Sequence, residues 1–161
     1  MSQKKINLDY KPLNILMPSY SSHPYKGGQG IYMRLVTKAM RDLGHNVDVI
    51  SGQPYPILDD GVKLVKLPSL DLYSYNNPLK AFNFNLLKNK IDFYEWISHL
   101  TGGFSEPYTF GERMAKWAKY NFSKYDVVHD NQTLAYGLLQ LKNLGLPVVG
   151  TIHHPITMDK R

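Results

Sequence analysis

Two strand–helix–strand patterns, one toward each end of the chain, constrain its fold more than any other feature of the sequence. Residues 13–50 contain one of them and residues 125–152 contain the other. Two strands joined through a helix over so few residues pair in parallel, with a right-handed crossover. We therefore predict an α/β fold: a Rossmann-like, mostly parallel sheet with helices on both faces.

In the first pattern, the apolar run 13–17 forms a strand that Pro18 should end, and residues 47–50 form the next strand. Between them, apolar residues recur at the spacing of one helix face, and Gly44 follows where a left-handed C-terminal cap is expected. The predicted buried stripe consists of Ile31, Tyr32, Leu35, Val36, Ala39, Met40 and Leu43. The predicted solvent face consists of Arg34, Thr37, Lys38, Arg41 and Asp42.

The second pattern predicts strands at 125–129 and 147–152 around a helix from Leu134 to Leu144, which Gly145 ends. A further strand is predicted at 62–67 and a further helix at 106–122. Each of these segments is short and is followed by a glycine, a proline or a polar residue, as elements of an α/β domain are. The sequence contains no internal repeat.

Residues 69–105 give no clear periodicity, and aromatic residues concentrate in and around this part of the chain. Residues 73–125 hold 14 of the 20 aromatic residues, including both tryptophans. The simplest interpretation is an aromatic-rich core of irregular helices. The alternatives are an aromatic groove for a sugar or a lipid headgroup, or an interfacial surface. The lysines that would contribute to such a surface are Lys80, Lys88, Lys90, Lys116, Lys119 and Lys124.

Composition excludes several classes of protein. The 161 residues have room for about one domain, which we place at 13–161 after a basic tail at 1–12. The absence of cysteine excludes disulfides, thiolate metal sites and cysteine nucleophiles. No apolar run could span a membrane and residues 1–7 lack the apolar core of a signal peptide, so we expect a cytoplasmic protein.

The charge balance favours an anionic partner. With 19 Lys and Arg against 13 Asp and Glu, the formal net charge is +6. Nucleic acid, an acidic membrane surface and a phosphorylated ligand all suit such an excess. No RNA-binding signature is present, so nucleic acid is not expected to be the partner.

Three polar segments should meet at one edge of the predicted sheet, where ligands bind in folds of this kind. They are the loop 18–30, the pair His129-Asp130 and the pair His153-His154. Each of the three follows or ends a predicted strand. The carboxyl ends of parallel strands share one edge, so we expect these segments to form the functional site.

The glycine-rich stretch of the first loop, from Lys26 to Gly30, opens directly onto a predicted helix. Unpaired backbone N–H groups and the helix dipole favour an anion there, and Lys26 adds a positive charge. The alternative is that the glycines only allow a tight turn. The stretch lacks the G-x-x-x-x-G-K-[ST] pattern of a P-loop. It also lacks a G-x-G-x-x-G fingerprint with an acidic residue at the end of the second strand, so a nicotinamide cofactor is not expected.

Histidine chemistry is expected after the last strand. His153 follows Thr151 and Ile152, and its imidazole could donate a hydrogen bond to a substrate oxygen or a phosphate. The alternative is a loop histidine bonded only to backbone. Successive strand residues point to opposite faces, so His153 and His154 are poor joint ligands for a metal, and no H-x-x-x-H spacing is present.

The sequence resembles the N-terminal domain of glycosyltransferase family 4. The resemblance is carried by LNILMPSY…GGQGIYMRLVTKAMRDLGHNVDVISG near the start and YDVVHDNQTLAYGLLQLKNLGLPVVGTIHHP near the end. Residues 53–124 do not contribute to it. It implies the two-domain GT-B fold and retaining transfer of a sugar from a nucleotide-sugar donor, with no metal or other cofactor required.

The resemblance also assigns residues. It places Gly27, Gly28 and Gln29 against the diphosphate or the sugar of the donor, and it makes His153 the active-site histidine. The residues expected at the site edge or the acceptor side are Tyr20, Lys26, His129, Asp130 and His154.

Members of that family also have a second Rossmann-like domain, which carries most of the nucleotide site and an E-x-x-x-x-x-x-x-E motif. That motif is not found in the 161 residues. We therefore expect an acceptor-side domain that is inactive without its C-terminal partner, either a fragment or half of a split enzyme. Its expected partners are a nucleotide-sugar, an acceptor, that domain and, at its periphery, an anionic membrane. The alternative is a stand-alone flavodoxin-like module that binds a phosphorylated ligand or an anionic membrane surface.

Overall fold

The computed structural model describes residues 11–25, 28–75, 77–133 and 135–153. Its strands are β1 (Asn14–Ser19), β2 (Asn46–Ser51), β3 (Lys63–Lys66), β4 (Val127–Asn131) and β5 (Val148–Thr151). Its α-helices are α1 (Gln29–Asp42), α2 (Lys90–Leu100), α3 (Glu106–Ala118) and α4 (Gly137–Asn143). Short 3-10 helices lie at Leu72–Ser74, Pro78–Ala81, Phe84–Lys88 and Phe122–Lys124.

All five strands pair in parallel, in the order β3-β2-β1-β4-β5. This confirms the predicted α/β class and its parallel sheet. The order is that of a Rossmann fold, whereas a flavodoxin-like fold has the order 2-1-3-4-5. The flavodoxin-like topology of the alternative is therefore wrong. The strand order reverses between β1 and β4: the chain first adds β2 and β3 on one side of β1 and then returns to add β4 and β5 on the other. Ligands bind at this position in such folds.

Helices cover both faces of the sheet, as predicted. On one face, Met33 of α1 packs with Ile15, Met17, Val47 and Val49 of the first two strands. The core on the other face joins Leu16, Ile50 and Val128 to α3 and α4, which contribute Phe110, Met114, Ala118 and Leu141. Side chains alternate between the two faces along each strand, so every strand of the sheet centre serves both cores.

The predicted buried stripe of α1 is partly wrong. Three of its members are more than half exposed, at 53%, 60% and 58%: Ile31, Leu35 and Leu43. The helix buries Met33 and Thr37 instead, and the Thr37 hydroxyl donates to the Met33 carbonyl at 2.8 Å. The buried face of α1 is thus rotated from the predicted one, and its first turn lies close to the preceding loop at Gly30. A Cβ there would lie 2.2 Å from the His23 carbonyl oxygen, so the glycine lets the first turn approach the preceding loop.

Strand β1 does not end at Pro18 as predicted but runs through it to Ser19. The Asn14 carbonyl accepts a hydrogen bond from the N–H of Asp126, the residue just before β4. Alternate residues along a strand face the same neighbouring strand. Pro18 therefore faces β4 without an N–H to donate. The ladder between β1 and β4 pairs only Ile15 and Leu16 of β1, while β1 continues alongside β2 to its end. Pro18 therefore cannot give β4 the backbone hydrogen bond that another residue would donate at this point.

The other predicted elements agree with the structure within a few residues, apart from three boundaries. Strand β4 continues past His129 to Asn131. The helix predicted at 106–122 ends at Ala118, and α4 begins at Gly137. Most of the predicted tail at 1–12 lies outside the described residues, and the domain limits stay a prediction. None of the described helices is both long and apolar enough to cross a membrane.

Helices α3 and α4 cross at a pair of glycines. A Cβ on Gly137 would lie 2.3 Å from the Gly111 carbonyl oxygen, and a Cβ on Gly111 would lie 2.8 Å from the Ala135 Cβ. Such distances are far shorter than a van der Waals contact, so only glycine permits this crossing. The close approach holds the two helices together over their shared core.

We expect Gly137→Ala to lower the free energy of unfolding by about 2 kcal/mol, because the added methyl forces the two helices apart. Gly150→Ala is the matched control, since a Cβ at that position has no atom within 4 Å. Urea denaturation of both variants measures the difference. Equal stability of the two variants would show that the crossing tolerates a side chain.

Candidate active site

The carboxyl edge of the sheet brings together several of the residues expected at the site. Tyr20 follows β1, Gly28 and Gln29 begin α1, and His153 follows β5 by two residues. Lys26, Gly27 and His154 lie outside the described residues. The arrangement therefore places the described part of the glycine loop and His153 at the same edge, beside the point where the strand order reverses between β1 and β4.

His153 is held by two residues at the end of β4. Its backbone N–H donates to Gln132 Oε1 at 2.7 Å, and its ring Nε2 lies 2.6 Å from Asn131 Oδ1. An amide oxygen can only accept, so Nε2 carries a hydrogen in this arrangement. Asn131 is 1% exposed and Gln132 is 3% exposed, so both are fixed by their surroundings. Their contacts orient an exposed imidazole and leave its Nδ1 for other partners.

The amide nitrogen of Asn131 is buried, and within the described ranges it has no hydrogen-bond partner. A buried donor without a partner costs free energy, so such groups are uncommon in folded proteins. Here the unsatisfied donor belongs to the residue that orients His153. The site therefore retains unused hydrogen-bonding capacity next to the imidazole.

Tyr32 connects α1 to His153. Its ring packs edge-to-face on the imidazole, with centroids 4.6 Å apart and planes at 80°. Its hydroxyl also donates to Thr151 Oγ1 at 3.4 Å. Tyr32 lies in the first turn of α1, so these contacts fix the start of the helix beside the end of β5. The distance between the helix N-terminus and the imidazole is thereby set by packing.

The start of α1 is open toward solvent. Gly28 is the residue that caps it, and its carbonyl accepts from the Tyr32 N–H at 2.8 Å. The described residues give this helix no side-chain cap, and its first turn contains no acidic residue. A Cβ on Gly28 would have no atom within 4 Å, and its φ of −81° suits any residue. Packing therefore requires a glycine at Gly30 but not at Gly28.

His129 and Asp130 have partners within the fold. His129 Nε2 lies 2.8 Å from Thr151 Oγ1, and burial lowers the pKa of the ring. Asp130 is buried on the opposite face of β4 and accepts from the Thr133 N–H at 3.2 Å. Burial raises the pKa of this carboxyl, while the hydrogen bonds from Thr133 lower it. Asn131, two residues beyond His129, is therefore the β4 residue that reaches His153.

Tyr20 lies at the border between the site and the irregular segment 69–105. Its ring packs edge-to-face on Phe104, with centroids 6.0 Å apart. A Cβ on Gly52 would lie 2.4 Å from the Tyr20 carbonyl oxygen, so the ends of β1 and β2 are tightly joined there. These contacts place the irregular segment next to the carboxyl edge of the sheet.

An open groove of about 390 Å³ runs along the outer side of α1. The exposed apolar residues Ile31 and Leu35 line it together with Tyr25, and Arg34 and Asp59 form an ion pair of 2.7 Å at its wall. Gly30 also borders the groove, which places it beside the first turn of α1. In the described ranges, no three His, Asp or Glu side chains are grouped so as to hold a metal ion. The expectation that no metal is required stays a prediction.

Sequence reasoning missed four residues around His153: Tyr32, Asn131, Gln132 and Thr151. A signal was present for two of them, because Asn131 and Gln132 are polar residues directly after a predicted strand, at the predicted edge. Tyr32 was assigned to the buried stripe of α1, and only the rotation of the helix turns it toward His153.

Comparisons with known proteins give the relationship of the chain. Residues 26–161 match the model of Glycosyltransferase Family 4. The chain is also 46% identical over 149 residues to the MMP alpha-(1->4)-mannosyltransferase of Mycolicibacterium hassiacum. The aligned region covers 92% of this chain and 36% of that protein. The chain thus spans about a third of the length of that relative. With a family match over most of its length and this degree of identity, the chain belongs to glycosyltransferase family 4.

Proposed function

We propose that the chain is the acceptor-side domain of a retaining glycosyltransferase that moves a sugar from a nucleotide-sugar donor to an acceptor. The observation that carries the proposal is the fixed position of His153, oriented by Asn131 and packed on Tyr32 at the start of α1. An imidazole and an uncapped helix N-terminus suit the two parts of such a donor. The imidazole suits the sugar, and the helix suits the diphosphate.

The main chemical task is to stabilise a departing diphosphate and a positively charged sugar centre. The first N–H groups of α1 and the dipole of the helix favour the negative charge that develops on the leaving group. Gly28 and Gln29 would lie against this group, with Gly27 and Lys26 extending the contact. The open space in front of Gly28 supports this assignment, because none of the described atoms requires a glycine at that position.

His153 would act on the transferred sugar. Its Nε2 hydrogen bonds to Asn131, so Nδ1 is the atom left to accept a hydrogen bond from a sugar hydroxyl. This role is one of positioning and charge stabilisation, and the proposal assigns no protein nucleophile.

The relative from Mycolicibacterium hassiacum suggests the sugar. Its name describes transfer of mannose to form an α-(1→4) linkage. We propose that this protein also transfers mannose, with an α-mannoside as acceptor. The chain covers 36% of that relative, so a second domain would supply the remaining contacts to the nucleotide. We propose a cytoplasmic enzyme that needs no metal.

The experiment assays the complete product of the reading frame and the 161-residue chain with UDP-, GDP- and ADP-sugars, mannose donors included, in the presence and absence of EDTA. We expect transfer to an α-mannoside by the complete product, unaffected by EDTA, and none by the chain alone. Failure of every donor to be transferred or hydrolysed would contradict the proposal. Transfer of another sugar would leave the class intact and contradict the mannose assignment.

We expect His153→Ala to lower kcat/KM by about 100-fold or more, because a fixed hydrogen-bonding group at the reacting sugar is lost. His154→Ala changes the neighbouring histidine and is the control, with a much smaller effect expected. Steady-state kinetics of the two variants, both made in the complete product of the reading frame, give the comparison. Equal and mild losses would remove His153 from the active site.

A second pair of variants tests the start of α1. We expect Gly28→Ala to leave the melting temperature unchanged, since the added Cβ meets no atom, but to raise the KM for the donor on the order of tenfold by displacing the diphosphate. Gly30→Ala is the comparison, because its Cβ would clash with the His23 carbonyl and lower the melting temperature. If Gly28→Ala destabilises the protein as much as Gly30→Ala does, the role of Gly28 is structural.

A further inference from the structure

The inner side of helix α2 is polar. Its buried residue is Glu95, 1% exposed, which pairs with Arg113 of α3 at 2.7 Å. Glu95 also accepts hydrogen bonds from the Leu70 N–H at 3.0 Å and the Thr109 hydroxyl at 2.9 Å. Asp92 pairs with the same guanidinium at 2.6 Å. Charge pairing and hydrogen bonds therefore attach α2 to α3, together with an edge-to-face contact between the Tyr94 and Tyr108 rings, whose centroids are 5.4 Å apart.

The outer side of α2 is apolar. Phe93, Ile97 and Leu100 are spaced by four and three residues, which places them on one face of the helix. They are 37%, 40% and 36% exposed. A surface helix normally buries its apolar face, whereas the buried residue of this helix is Glu95. The three apolar residues therefore keep part of their surface accessible.

The neighbouring 3-10 helices extend this apolar surface. The Phe82 ring lies 5.0 Å from the Trp96 ring of α2 and 5.8 Å from the Phe84 ring, measured between centroids. Phe84 is 79% exposed, and Leu79 and Leu87 are more than half exposed. We call this set the α2 surface: Leu79, Phe82, Phe84, Leu87, Phe93, Ile97 and Leu100. Exposed apolar side chains gathered on neighbouring elements in this way are typical of an interaction site.

The exposed charges beside the α2 surface are all positive. Residues 78–100 contain two carboxylates, Asp92 and Glu95, and both are paired inward with Arg113. The same residues contain three lysines, all exposed: Lys80, Lys88 and Lys90. The occupant of this surface must therefore accept both apolar side chains and cations. Two copies of the chain meeting at this surface would bring the same lysines together.

We propose that the α2 surface docks the protein on an anionic lipid bilayer. The interfacial region of a bilayer takes up phenylalanine, leucine and isoleucine side chains, while anionic headgroups attract the surrounding lysines. This contact is independent of the sugar chemistry, because the α2 surface does not include His153 or the start of α1. It would hold the protein at the membrane while the carboxyl edge of the sheet carries out its own function.

Flotation of the 161-residue chain with vesicles tests the proposal. We expect the chain to float with vesicles that contain phosphatidylglycerol and to stay behind with pure phosphatidylcholine, and to be released by added salt. Each lysine near the surface should contribute about fivefold, so the triple variant Lys80→Glu, Lys88→Glu, Lys90→Glu should lose roughly 100-fold in affinity or more. The double variant Phe84→Ser, Ile97→Ser should lose about tenfold or more.

Control variants carry changes of the same kind elsewhere on the surface. Lys116→Glu with Lys119→Glu reverses two exposed charges on or just beyond α3, and Leu35→Ser removes an apolar group that is 60% exposed. Circular dichroism of each variant checks that it is folded. Absence of flotation with anionic vesicles, or equal losses in the controls, would overturn the proposal. So would a dimer detected by light scattering that the α2-surface variants dissolve, because a second copy would then be the occupant.

Discussion

The parallel pairing of the five strands is the constraint on which the rest of the structure depends. Because every strand runs in the same direction, the loops after β1, β4 and β5 emerge at one edge of the sheet. The start of α1 is delivered to that edge by the short loop after β1. Antiparallel pairing of any of these strands would send its loop to the opposite edge. The candidate active site therefore exists because of strand direction before any side chain is considered.

The elements of the fold could be predicted where periodicity was strong and local. Short apolar runs gave the strands, and the spacing of apolar residues gave α1. The buried face of α1 was predicted wrongly in part, because the apolar residues Ile31 and Leu35 are exposed while the polar Thr37 is buried, against the periodicity of the sequence. The buried face of α2 was equally hidden from periodicity, because its buried residue is the acid Glu95, which pairs with Arg113 of another helix.

The candidate site was predictable in position and less so in detail. Residues that follow strands, such as His153, were expected at the edge because strand direction alone places them there. The contacts of His153 with Asn131 and Tyr32 join residues that are distant in sequence, and no spacing rule links them. For His129 and Asp130, the position in the strand does not tell which partners their side chains have. Both residues lie beside the predicted edge, yet their side chains bond to Thr151 and Thr133 within the fold.

The proline in the central strand has a consequence for how the site can evolve. Pro18 lacks a hydrogen-bond donor on the side that faces β4, and this lack belongs to the backbone and not to the size or charge of a side chain. It therefore persists when the side chains at the carboxyl edge are exchanged. A lineage could alter those side chains to accept a different ligand without having to rebuild the sheet beneath them. Specificity is thereby separable from architecture, because strand direction and not the lining side chains sets where the edge lies.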